Sequence, residues 1–270
     1  MLQRARPAAK LATINGAQFV AISIPPVIGH RGASGLAPEN TLVAIRRAAA
    51  LGARWVEIDA KLTKDGVLIL LHDDTLDRTT SGKGPVAART WAEIAGLDAG
   101  FWFAPDFAGE RVPTFSAFVQ ACRDLGLGAN VEIKPCPGRE RETAVAVAKA
   151  LAKEWPAGDG APLVSSFSPE ARQAFQEAAP THPVGILSSV PPPDAALDRA
   201  GSFVSIHVDA KTLTASEAKR LKRRRAALLV YTVNDVALAE RLYDWGVDAV
   251  FTDFPDRILP AAARRFAAGR

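Results

Sequence analysis

ALLVYTVNDVALAERLYDWGVDAVFTDFPD, residues 227–256, contains one complete turn of a repeating plan. The apolar, β-branched and aromatic run 227–232 reads as a strand. Asn234 marks a helix start, apolar residues recur at helical spacing over 235–244, and Gly246 ends the helix. A second apolar run, 249–251, opens the next strand. Reading outward, the same plan runs back to residue 27. Strands are expected at 27–30, 55–60, 130–133, 163–166, 184–187, 203–206, 227–232 and 249–251. Helices are expected at 40–51, 114–125, 139–154, 168–178, 194–200, 214–224, 235–244 and 256–267. Asn40, Thr114, Ser168, Thr214 and Asn234 stand at helix starts, and Gly52, Gly126 and Gly246 at helix ends. Eight strands, each followed in turn by a helix, predict a (β/α)8 TIM barrel over 27–270. The rival, a doubly wound open sheet, would carry a glycine-rich phosphate loop after its first strand, and none is present.

One stretch breaks the alternation. Asp65-Gly66 lies between the apolar runs 55–60 and 67–72, which predicts a hairpin. A loop of two or three residues would set His72 opposite Ile58 or Asp59. Residues 73–113 hold Gly, Pro, Thr and aromatics with little periodicity. They read as an insertion after strand two that distorts the barrel and caps the mouth of its site, because loops after barrel strands lie on the catalytic face. Phe101, Trp102, Phe103 and Phe107 cluster there and are expected to pack as part of that cap rather than to enter lipid.

The 270 residues are 48% hydrophobic and 23% charged, which suits a large buried core and excludes disorder. Two cysteines exclude a disulfide scaffold and fit reduced thiols in a cytoplasmic protein. No uninterrupted apolar run reaches the ~18 residues of a spanning helix. A net charge of +4 is compatible with anionic ligands but does not announce nucleic acid. Lys219–Arg225 reads as a solvated helix end, since no aromatic residue interleaves it. Residues 1–26 form an N-terminal extension. Its basic start and apolar stretch loosely resemble a leader for export, but Asn15 and Gln18 interrupt the apolar part and no small-residue cleavage site follows.

Strand-end residues carry the chemistry of a barrel. Strand one ends in His30-Arg31, strand two carries Glu57 and Asp59, the hairpin returns with His72, and strand three ends in Glu132 and Lys134. Glu57 and Asp59 are two apart and share a face. Two carboxylates that close repel unless one protonates or a cation binds between them. With Glu132 they make a hard, oxygen-only donor set suited to Mg²⁺ or Ca²⁺. The plainer alternative is ion pairing with Arg31, Lys134 or Lys61. His30 and His72 at the same end can supply one acid and one base near neutral pH. Arg31 and Lys134 add fixed positive charge. Together these groups describe a site for a phosphoryl centre. His182 reads as structural, and His207, after Ile206, as an ambiguous strand-end residue.

The pieces HRGASGLAPENT (30–41), VEIDAKLTKDGVLILLHDDTLDRTTSGKG (56–84), FAGERVPTF (107–115), NVEIKP (130–135), SSFSP (165–169), YTVN (231–234) and FTDFPD (251–256) run in one order along the chain. In them the chain resembles the glycerophosphodiester phosphodiesterase family. Tyr231 stands where that family usually has Trp. The resemblance implies a distorted TIM barrel that hydrolyses glycerophosphodiesters to glycerol 3-phosphate and an alcohol with one divalent metal. It implies Glu57, Asp59 and Glu132 as metal ligands, His30 and His72 as the acid–base pair, and Arg31 and Lys134 as phosphate contacts. Gly32, Glu39 and Asn40 read as a close turn, a positioning acid and a helix cap. The expected partner is a small-molecule diester, with no nucleic acid and no stable membrane association. Alternatives are a phospholipase D-like or phosphoinositide-cleaving relative of the barrel, or a non-catalytic polyol-phosphate-binding module.

Overall fold

The computed structural model describes residues 11–14, 17–20, 22–155 and 161–267. A two-stranded antiparallel hairpin comes first, β1 (Leu11–Ile14) with β2 (Ala17–Val20). β3 (Val27–Gly29) leads to α1 (Leu42–Ala50). β4 (Trp55–Leu62) turns back into the short antiparallel β5 (Leu68–Leu70). The insertion holds little regular structure beyond α2 (Trp91–Ile94). Alternation then resumes: α3 (Phe115–Leu125), β6 (Gly128–Ile133), α4 (Glu140–Glu154), β7 (Leu163–Ser166), α5 (Pro169–Ala178) and β8 (Val184–Ser188). It ends with α6 (Asp194–Asp198), β9 (Ser205–Asp209), α7 (Ala215–Lys222), β10 (Ala227–Tyr231), α8 (Val236–Asp244), β11 (Ala249–Thr252) and α9 (Pro255–Ala267).

Among the described residues β3, β4 and β6–β11 pair in parallel, and β3 lies between β11 and β4, closing an eight-stranded barrel. The fold is the expected (β/α)8 TIM barrel. Its strands are buried on both faces, so they read as largely apolar runs. Phe19, next to the barrel, is buried against Ile28, Trp55, Leu163, Val204, Leu229 and Phe251. Trp55 and Leu163 are the first residues of their strands, so this aromatic plug fills the end of the barrel opposite the strand C-termini.

Three local expectations differ from what is found. The β4–β5 loop is five residues, 63–67, because β4 ends at Leu62 and pairing resumes only at Leu68. Thr63 ties that loop by accepting from Val67 N and donating to Asp65. The register still sets His72 opposite Ile58, one step beyond the bond from Leu71 N to Asp59 O. β9 begins two residues later than expected, which puts His207 inside a strand, fully buried and tilted against Phe251, rather than at a strand end. Finally, Thr41 and Asp235, not Asn40 and Asn234, cap α1 and α8. Thr114, Ser168 and Thr214 cap their helices as read.

The insertion has its own small core, in which Leu76, Val86, Ile94, Ala99 and Val112 pack with Ile69 and Leu71. Asp98 anchors its aromatic loop by accepting from the backbone N–H groups of Gly100, Phe101 and Gly109. Trp102, Phe103 and Phe107 stack edge to face, while Phe101 is 62% exposed. Among the described residues no helix is long and apolar enough to cross a membrane.

Candidate active site

Alternation along β4 turns Glu57 and Asp59 to one face, and pairing with β6 puts Glu132 beside Asp59. One carboxylate oxygen from each of Glu57, Asp59 and Glu132 lies within 4.8 Å of the others, and all three residues are buried. Burial, reinforced by the charges of Asp59 and Glu132, holds the Glu57 carboxyl well above its ordinary range. Burial and Asp59 push Glu132 up to about 7. Burial would raise Asp59 too, but Arg31, His72, Lys134 and the Asn40 hydrogen bond outweigh it and bring Asp59 down to about 2.

The fixed cations only partly balance this cluster. Lys134 Nζ donates to Glu132 Oε1 at 2.8 Å and stands 3.9 Å from Asp59 Oδ1. Arg31 Nε is 3.3 Å from Asp59 Oδ2, yet its N–H has no aligned acceptor. Lys61, weighed as a third cation, turns away and pairs with Asp74 at 2.6 Å. Both readings of the acids therefore hold together: they are ion-paired, and they still converge as an electron-rich oxygen cluster that a hard divalent cation fits.

The loop after β3 is bent hard to reach this cluster. Arg31 and Asn40 both take left-handed backbone conformations, with φ of 52° and 57°, which side chains other than glycine adopt at a cost. Gly32, at φ +89°, packs so close to α1 that a Cβ would lie 2.6 Å from the Ala44 backbone. The bend aims Arg31 N at Glu57 Oε2, 2.9 Å away. It also lets Asn40 clamp Asp59 from two sides, donating from Nδ2 to Oδ2 at 2.8 Å and accepting from Asp59 N at 3.1 Å. Asn40 is thus a support for Asp59, which explains why Thr41 does the capping.

The two histidines flank the acids. His30 Nε2 is 4.0 Å from Glu57 Oε2, and its Nδ1 meets Asp253 Oδ1 at 2.6 Å. Asp253 is in turn held by Ser34 Oγ and Asn234 Nδ2. Burial opposes its charge, but His30, Asn234 and Ser34 hold its carboxyl far below the usual range. His72 Nδ1 meets Asp73 Oδ1 at 2.8 Å, and burial lowers the pKa of the His72 ring despite the nearby Asp59 charge. In both rings a carboxylate takes the Nδ1 side and leaves Nε2 for chemistry.

Asp253 and Asp73 have no role in the sequence reading, and Asn234 figures there only as a helix cap. Asp253 immediately follows β11, so the strand-end rule that found His30 would have found it too. The other histidines lie outside the site. His182 Nε2 bonds Pro162 O, and burial lowers the ring to about 4. His207 bonds Ser205 Oγ, and burial lowers it to about 3. Above the cluster, Lys134 Nζ lies 5.1 Å over the half-exposed Phe167 ring. Tyr231 stands edge-on to Phe167 and donates its hydroxyl to Ser188 O.

Residues 30–257 match the glycerophosphoryl diester phosphodiesterase family. A glycerophosphodiester phosphodiesterase of Bacillus subtilis (strain 168) is 34% identical over 247 residues, covering 85% of this chain and 83% of that protein. One from Caldanaerobacter subterraneus subsp. tengcongensis is 36% identical over 240 residues, covering 86% and 96%. Among solved structures, an Oleispira antarctica phosphodiesterase in complex with the product sn-glycerol-3-phosphate superposes with a TM-score of 0.85 at 36% identity, covering 88% of this chain and 96% of that one.

Proposed function

The chain belongs to the glycerophosphoryl diester phosphodiesterase family, and from that premise we propose how its own residues do the work. It hydrolyses glycerophosphodiesters to sn-glycerol 3-phosphate and an alcohol. The observation that carries the reading is the convergence of three buried carboxylates between two histidines, each with its Nδ1 on an aspartate.

Glu57, Asp59 and Glu132 hold one divalent cation, and their oxygen-only donor set favours Mg²⁺ or Ca²⁺. When bound, that ion supplies Lewis-acid polarisation of the phosphoryl oxygens. Arg31 and Lys134 bind the non-bridging oxygens and balance the charge that develops on them. One imidazole Nε2 takes the proton of the nucleophile, either water or the glycerol 2-hydroxyl. The other gives a proton to the oxygen of the departing alcohol. A substrate hydroxyl is already in place, which removes an entropic cost. Asp253 and Asp73 each accept from Nδ1–H, so Nε2 is the working nitrogen of both rings: unprotonated in the base, protonated in the acid, with the aspartate stabilising the imidazolium that the base becomes and the acid starts as.

The insertion 73–113 caps the mouth and favours a small diester over a membrane lipid. The buried free thiols Cys122 and Cys136 fit a reducing compartment, in line with a cytoplasmic enzyme. The test is a coupled glycerol 3-phosphate assay over choline, ethanolamine and inositol diesters, with and without chelator. Release of glycerol 3-phosphate that stops with EDTA and returns with Mg²⁺ or Ca²⁺ is expected. No release from any diester in the metal-loaded protein would favour a silent binding module. A clear preference for acylated substrates would overturn the small-diester reading.

A further inference from the structure

Arg78 lies in the insertion, and the chemistry proposed above gives it no part. Its guanidinium nevertheless clamps two carboxylates at once. Nη1 and Nη2 donate to Glu39 Oε2 and Oε1 at 2.7 and 2.8 Å. Nε and Nη2 donate to Asp73 Oδ2 and Oδ1 at 2.7 and 2.9 Å. Each carboxylate reaches onward with one of the same oxygens. Glu39 Oε1 accepts from Arg31 Nη1 at 2.6 Å, and Asp73 Oδ1 meets His72 Nδ1 at 2.8 Å. The result is an unbroken row, Arg31–Glu39–Arg78–Asp73–His72. Its members come from three separate segments: the loop after β3, the end of β5 and the insertion.

We infer that Arg78 is a positioning residue for diester hydrolysis, fixing Arg31 and His72 relative to each other through Glu39 and Asp73. This rests on the reading of Arg31 as a phosphate contact and His72 as an acid–base group. The planar guanidinium is suited to the task because two of its edges each meet a carboxylate in a two-point contact. An ammonium would keep the charge but could not hold two carboxylates at fixed angles. With no cation between them, Glu39 and Asp73 repel each other. Asp73, about a quarter exposed, would then swing toward water and release the His72 ring from its tautomer and orientation. The Arg78 side chain is itself 44% exposed, so its removal opens no core cavity.

The experiment uses the full-length, metal-loaded protein with Arg78→Ala and Arg78→Lys. It combines kcat and KM for glycerophosphocholine with ¹⁵N NMR of the imidazoles, which is tractable because the chain has only four histidines. The expected result is a loss of about 10–100-fold in kcat/KM for Arg78→Ala, the usual worth of an outer partner that orients a working group. Both kcat and KM change, because His72 and Arg31 are both released. Arg78→Lys recovers less than a tenth of the lost activity despite its charge. The His72 resonances move from one Nδ1-protonated tautomer toward a mixture, while far-UV circular dichroism stays native. Wild-type kcat and KM in folded Arg78→Ala, full recovery by Arg78→Lys, or an unchanged His72 tautomer in both variants would overturn the inference. If Arg78→Ala folds poorly, Arg78→Lys alone decides by the same criteria. A wild-type protein inert toward every diester would sink the functional reading instead, and the His72 tautomer would still decide the role of Arg78.

Discussion

His30 and His72 arrive at the same end of the barrel from different strands, and each gives its Nδ1 to a carboxylate. Replacing either by alanine is expected to lower turnover about 10²–10⁴-fold, the usual worth of a positioned acid or base. His182→Ala, remote from the acids, should leave the kcat of the folded enzyme near wild type; a loss as deep as that of His72→Ala would refute the assignment. The acids add a pH signature. With Glu57 held well above its usual range and Glu132 up to about 7, protons compete with the cation for the same oxygens. The metal concentration giving half-maximal activity should therefore rise as pH falls from 8 to 6. A metal requirement flat over that range would count against the three-carboxylate site. The convergence of His30, Arg31, Glu57, Asp59, His72, Glu132 and Lys134 was legible because each lies on a barrel strand or hairpin strand or just past its end. Asp253, just past β11, falls under the same rule, whereas Asp73 does not, because an aspartate beside a turn is common and its partner is set only by tertiary contact.

Among the elements, helix starts were the least legible. Asn40 and Asn234 sit where capping residues belong, yet their side chains serve the site, Asn40 on Asp59 and Asn234 on Asp253. Sequence spacing cannot separate the two uses, because both need a short polar side chain just before a helix. Mutation can. Ser168→Ala removes a true cap on α5, so it should cost about 1 kcal/mol of stability and leave kcat alone. Asn40→Ala should instead lower kcat/KM by 10-fold or more, because the fourth neighbour of Asp59 is lost together with its backbone tie. Equal stability losses with no difference in turnover would show Asn40 to be merely a turn residue. The hairpin was legible in register though not in loop length, since Asp-Gly marks a reversal without saying how far the strands run past it. β9 was misplaced by two residues for a related reason: 203–208 is apolar throughout apart from Ser205 and His207, so nothing local marks where pairing begins.

For the whole molecule, the alternation of strand and helix made the barrel legible, whereas the plug at its far end was not. Phe19 looks like one more apolar residue in an extension, and only the closed barrel offers it a place. Phe19→Ala should cost about 3–5 kcal/mol in denaturant unfolding, the usual range for a buried aromatic, with kcat unchanged. A stability change below 1 kcal/mol would show that the plug does not support the barrel. The buried rings of His182 and His207 give stability a pH dependence. Their folded values of about 4 and 3 lie below the ordinary ~6.5 of the unfolded chain. Their contribution is complete above ~6.5 and is lost as pH falls, because the unfolded chain then takes up protons that the folded one refuses. His207→Gln should flatten the rise in unfolding free energy between about pH 4 and 6 by roughly 1.4 kcal/mol per pH unit; an unchanged slope would contradict this. Closure has one more consequence, in time rather than in space. β3 is three residues long and wedged between β4 and β11, and His30 at its tip is partnered by Asp253, 223 positions away. A ribosome adding roughly 5–20 residues per second exposes His30 many seconds before Asp253 leaves the exit tunnel. From the moment Glu132 emerges, the nascent chain carries both histidines and all three acids with no finished catalytic pair, so hydrolysis waits until Asp253 has emerged as well.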